Sequence, residues 1–224
     1  MPNRAYASLW VRGFDGASML AHLENFLATV PLSSGPVGFS EVVIRAVDTT
    51  ETPLEEEDFR GLAVTPAEIV KIAREHLSDD VGYEVGARWD LWIREMETAS
   101  WKKSPEPLAL FCNGPRYDDG VFAESGHFMA DLGFEHLFTG HAGLLAASNG
   151  RPAEPAHPDE ARFLMWMSQP KNLREYQQKT RENIQKLMGW MRAVEENMPV
   201  ERVRLWSEGE ENFEARLDEI LAVP

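Results

Sequence analysis

A single cysteine, Cys112, stands in the 224-residue chain, so no disulfide forms within it. The paired Cys-x-x-Cys ligands of zinc ribbons and thioredoxin-like redox sites are missing as well. No stretch approaches the ~18 consecutive apolar residues of a membrane-spanning helix. The opening Met1-Pro2-Asn3-Arg4-Ala5-Tyr6 has no apolar signal core, and no Asn-x-Ser/Thr acceptor occurs. These absences point to a reducing cytoplasm. Basic residues are scarce: 22 Lys and Arg against 37 Asp and Glu give a net charge of −15. Nucleic acid and anionic membranes repel such a chain, while basic proteins and cationic ligands are drawn to it. Gly-x-Gly-x-x-Gly, Walker A, His-Glu-x-x-His, Gly-x-Ser-x-Gly and EF-hand patterns are all absent, so no common cofactor or hydrolase motif is available.

What is present is an ordinary globular composition, 43% hydrophobic and 26% charged, which is compatible with one sizeable core. Residues 5–13 alternate as a strand. Met19, Leu20, Leu23, Phe26, Leu27 and Val30 then make one apolar helical stripe, and Val42, Val43, Ile44 and Val47 carry a strand over 38–47. The chain thus opens with a β-α-β unit. Residues 48–64, with the run Glu55-Glu56-Glu57-Asp58, read as a solvated acidic loop. Thr65-Pro66-Ala67-Glu68 is a capping box with proline at the first helical position.

The period-two pattern is clearest over 81–95. Val81, Tyr83, Val85, Ala87, Trp89, Leu91 and Ile93 share one face, and Gly82, Glu84, Gly86, Arg88, Asp90, Trp92 and Arg94 the other. Residues 107–112 form a further strand. A third, over 126–138, places Phe128, Ala130, Leu132, Phe134, His136 and Phe138 on one side. Their short connections predict a three-stranded antiparallel meander. A loop or linker is expected at 140–158. Helices follow at about 159–168 and 173–197, then a strand over 200–206 and a last helix through Phe213, Leu217 and Leu221. The fold class is α+β, a mainly antiparallel sheet packed with several helices. A single domain over 1–224 is expected, with sub-units 1–80 and 81–224 or two ferredoxin-like halves as topological options.

Three chemistries compete. The polar strand faces gather Glu84, Arg88, Asp90, Trp92, Arg94, His127, Asp131 and Glu135, and a tryptophan among charges is the mark of an interaction surface. With the negative charge, this favours an inhibitor- or immunity-type protein engaging a basic partner; the bland alternative is a solvated or roofed face. A nucleophile–base–orienter set would use Cys112 with His127 and Asp119 (or Asp118), beside Asn113, although a lone cysteine is more often a buried hydrophobe. A small-molecule cleft between sheet and helices is the third. No metal or cofactor is expected: in the segment Glu124 to His141, His127, Asp131 and Glu135 share a strand face but lie four residues apart, too far to share an ion, and His136 points to the opposite, apolar face. Phe163-Leu164-Met165-Trp166-Met167 is apolar all round, so it is either buried or a contact with another chain, and the long helix offers a homodimer face.

Overall fold

The computed structural model describes residues 2–35, 38–95, 100–140 and 158–222, with 158–160 as backbone only. Seven strands form one sheet: β1 (Arg4–Val11), β2 (Phe39–Ala46), β3 (Glu55–Asp58), β4 (Val81–Glu95), β5 (Ser100–Asn113), β6 (Phe128–Phe134) and β7 (Val200–Ser207). Their order is β3-β2-β4-β5-β6-β1-β7, and every neighbouring pair is antiparallel. Among the described residues there are seven α-helices: α1 (Met19–Ala28), α2 (Pro66–Ala73), α3 (Phe122–Ser125), α4 (His136–Thr139), α5 (Pro158–Met167), α6 (Pro170–Asn197) and α7 (Phe213–Ala222). None is long and apolar enough to cross a membrane.

The α+β class and the β4-β5-β6 meander are as expected. The capping box also forms: Glu68 N–H donates to the Thr65 hydroxyl, and the Glu68 carboxylate accepts from Thr65 N–H. Other details differ. The opening strands β1 and β2 run parallel but lie three strands apart, with β4, β5 and β6 between them. The acidic run is not a loop but the edge strand β3, paired to β2 from Glu41↔Asp58 to Ile44↔Glu55. The third meander strand stops at Phe134. Gly133 has a φ of 94°, which breaks the alternation, and His136 begins α4 instead of continuing a strand. The 140–158 loop lies almost wholly outside the described residues, as does His141.

One face of the sheet carries the main core. Leu9, Val42, Val85, Trp89, Leu110 and Phe128 point to it, and α1, α2, α6 and α7 cover it through Phe26, Ile69, Leu187, Trp190 and Leu217. Helix α6 also reaches a second small cluster, where Phe163, Met167 and Tyr176 pack with Trp101, Trp166 and Leu173. The apolar run on α5 is therefore one-sided: Phe163 and Met167 are buried, and Met165 is 74% exposed.

The β4–β5 hairpin is longer than its neighbours. β2 pairs with β4 only as far as Ala87. Beyond it, Ser33 N–H donates to Arg88 O and Arg88 N–H donates to Gly38 O. At Trp92 the missing strand is replaced by one side chain. Trp92 N–H donates to Asn183 Oδ1 (2.8 Å), and Asn183 Nδ2 donates to Trp92 O (3.0 Å) and to Leu137 O (3.0 Å). Asn183 is 3% exposed. Lys186 Nζ donates to Asp90 O two residues along (2.9 Å). Buried backbone groups must find partners, and here α6 supplies them. Replacing Asn183 by Leu keeps the volume but strands one N–H and two carbonyls. It is expected to cost about 2–4 kcal/mol in urea unfolding; a loss well below that range would show that the amide is dispensable.

Candidate functional site

Among the described residues, no long helix packs on the second face of the sheet away from the far part of β4, where α5 and α6 meet Arg94 and Trp92. Cross-strand register arranges it in rows. One runs Glu41–Gly86–Ala109–Asp131–Tyr6–Trp206, and the next Val43–Glu84–Phe111–Met129–Ser8–Arg204. Small residues in these rows lower the surface. At Gly82 a Cβ would come within 2.5 Å of the Tyr117 ring, so the glycine lets that ring lie against the sheet.

Beside this ring is a cavity of about 310 Å³. Val43, Phe111 and Met129 contribute apolar surface, Arg45 and Glu84 charge, and Thr49, Tyr117, Asp118, Val121 and Ser125 the remaining walls. Arg45 Nη1 donates to Glu84 Oε2 at 3.3 Å, with 26% of the arginine and 37% of the glutamate side chain exposed. Burial raises the Glu84 carboxyl pKa above its ordinary range; Arg45 pulls it down, and Glu41 and Asp131 push it up. Burial also raises the pKa of the Tyr117 hydroxyl, which has no hydrogen-bond partner among the described residues.

The outer wall is built from residues 117–125, and its turn is strained. Asp118 and Asp119 have φ of 48° and 52°, and Val47 has a φ of 71° although it is β-branched. Asp118 N–H donates to Val47 O (2.7 Å), and Val47 N–H donates to Asp80 O (2.8 Å), so the strained residues hold one another. Such outliers persist only where surrounding structure over-determines them, and they cluster at functional sites. Asn113 anchors the far end of the wall, donating from Nδ2 to Gly126 O and Ser125 Oγ. Gly126, with a φ of 91°, passes Leu9 N so closely that a Cβ would sit 2.7 Å from it.

The sequence-derived candidates are dispersed by this geometry. Cys112 faces the helices, is fully buried, and its thiol pKa is pushed well up by desolvation. His127 projects to the other face: its neighbour Phe128 pairs with Cys112 and occupies the core. A thiol–imidazole pair is therefore not assembled, and Asp119 is an exposed turn residue. His127 is instead sandwiched between Phe14 (4.3 Å) and Phe122 (4.8 Å), and its Nδ1 accepts from Val11 N–H (3.0 Å). Burial lowers its pKa, His22 adds to this, and Glu201 opposes it.

The eight-residue polar face does not stay together either. Glu84 lines the cavity. Asp131 is held by Arg4 Nε at 2.6 Å, and Glu135 accepts from Gly209 N–H. Arg88 donates to Pro105 O, and Asp90 accepts from Ser33 and Ser34. Trp92 lies under Lys179 Nζ (3.6 Å), and Arg94 over Trp166 (3.9 Å), so the far part of β4 is packed against α5 and α6. Among the described residues no three His, Cys, Asp or Glu side chains converge as metal ligands. Sequence reading missed Arg45, Phe111, Tyr117 and Met129. The turn-rich Asn113–Gly120 segment was the one signal that something covers this end of the sheet.

Comparison with protein-family models, with curated proteins and with solved structures gives no match.

Two outcomes follow from the burial of these groups. Cys112 should resist alkylation at pH 8 in the native protein and react at the rate of unfolding; rapid labelling under native conditions would contradict its placement. For Glu84, a raised folded-state pKa penalises the ionised form once the pH exceeds the unfolded carboxyl value, so stability falls as pH rises through that window. Glu84→Gln should therefore raise Tm at pH 7, with the gain vanishing below pH ~4. A Tm difference independent of pH would contradict this.

Proposed function

We propose that this chain is a small-molecule-binding protein whose ligand occupies the cavity between Phe111, Met129, Arg45 and Glu84. The observation that carries the reading is the combination of an apolar floor with one half-buried, opposite-charge pair. Ligand sites are concave, mainly apolar, and carry few convergent polar groups. The ligand this chemistry suits has a flat apolar body, resting on Phe111 and Met129. Its head group offers a donor to Glu84 and an acceptor to Arg45, as a primary amide does. The Arg45–Glu84 pair favours a neutral ligand, because an incoming anion would meet the carboxylate and a cation would meet the guanidinium.

Benzamide-type fragments, titrated by NMR against the labelled protein, test this reading. Shifts should centre on Glu84, Phe111, Tyr117 and Met129. Thr49→Trp, at an exposed position of the rim, should remove them while leaving Tm unchanged. Binding that persists in the plugged variant, or a panel of aromatic amides that leaves these residues unmoved, would refute it.

A second reading draws on a different observation. The outer strand β3 presents Glu56, Glu57 and Asp58 exposed at the end of the sheet. With the net charge of −15, this suits a cytoplasmic inhibitor- or immunity-type protein that meets a basic protein partner. Association with a basic nuclease should then weaken with salt and disappear in Glu56→Lys/Glu57→Lys; retention by that variant counts against it.

A further inference from the structure

The far end of the sheet has the opposite character. β7 is an edge strand, and its two sides differ. Arg202 and Arg204 project on the open face, opposite Trp10 and Ser8 of β1. Both are exposed, and neither has a carboxylate partner among the described residues, although acids outnumber bases in the chain. Each is held near an indole: Arg202 Cζ lies 3.4 Å from the Trp10 ring centroid, and Arg204 Cζ 5.6 Å from that of Trp206. Each guanidinium group thus lies over an indole ring, and alternate residues of a strand are about 7 Å apart. Val203 and Leu205 point the other way, into a groove of about 250 Å³ shared with Met188, Met191 and Leu217. Glu195, Glu214 and Asp218 also line it, with Arg192.

The backbone edge itself is closed by a side chain rather than a strand. Leu205 N–H donates to Glu214 Oε1 at 2.7 Å. A carboxylate in that position does what the carbonyl of an added strand would do.

We propose that the outer edge of β7 is a docking site for an extended segment of a partner protein in which carboxylate and aliphatic side chains alternate. The carboxylates meet Arg202 and Arg204, and the aliphatic side chains enter the groove, whose own acids reject charge of the same sign. Backbone hydrogen bonds supply the common affinity of strand addition, and the alternating pockets supply the selectivity. The partner's carbonyl displaces Glu214 from Leu205. A single-stranded nucleic acid is disfavoured, because Tyr6 stacks on Trp206 (4.3 Å) and Arg202 covers Trp10, leaving these ring faces to the protein.

The test uses the full chain and a blocked seven-residue peptide of alternating valine and glutamate, with NMR mapping and a Kd. Amide shifts should concentrate on Val203–Ser207. Arg202→Gln/Arg204→Gln should weaken binding about tenfold or more, and Glu214→Ala should tighten it several-fold. A valine–lysine peptide should not bind. Both arginines are exposed, so the double variant should keep its dispersed spectrum, and equal affinity in that folded variant overturns the proposal. So does equal binding of the lysine peptide, or the absence of β7 shifts at millimolar peptide.

Discussion

The structure depends on solving a mismatch of strand lengths. A hairpin of 15 and 14 residues is set into a sheet whose other strands have eight residues or fewer. Its far half has lost strand neighbours on both sides, since β2 leaves β4 at Ala87 and β6 meets β5 only from Ala109 to Cys112. Asn183 and Lys186 answer the exposed peptide groups of β4, and the α5–α6 aromatic cluster packs on Trp101 of β5. That requirement fixes where α6 lies. Once α6 is fixed, Ile184, Leu187, Trp190 and Met191 are brought over the core face with it.

Helices α1, α2, α6 and α7 then share one side of the sheet, and among the described residues the second side carries no long helix away from the far part of β4. Its relief comes from side-chain size. Gly86 and Ala109 sit side by side in one row, Gly82 lies under the Tyr117 ring two rows away, and Glu84, Phe111 and Met129 stand in the row between. Tyr117 roofs part of that hollow, held by a turn in which Asp118 donates its N–H to Val47 O, just past β2, while Val47 N–H donates to Asp80 O, just before β4. The face is also polarised, with carboxylates at the β3 end and arginines at the β7 end.

Much of this was legible before any coordinates. The alternation over 81–95 identified β4 and its buried side, and the capping box placed the start of α2. What escaped reading has physical reasons. Four consecutive acids have poor strand propensity, and β3 exists because β2 offers it an edge. The first half of β5 carries Pro105 and Pro107, which a pattern reading discounts, yet both fit a ribbon paired on one side only. Cys112 and His127 are close along the backbone, with Asn113 N–H donating to His127 O; only the register reveals that their side chains part to opposite faces. The eight polar residues failed as one surface because the hairpin leaves the sheet before it ends.

The position of β1 has a consequence for the order of assembly. It is flanked by β6 and β7, with Leu9 opposite Phe128 on one side and Val203 on the other. Both of its ladders join segments far apart in sequence, since β6 follows β1 by more than a hundred residues and β7 by nearly two hundred. Closing a loop of this length makes folding slow relative to a protein of local contacts. Until β6 and β7 arrive, the β1 ribbon, with Leu9 and Val11 on one side and Tyr6 and Trp10 on the other, is the segment that a chaperone would have to shield.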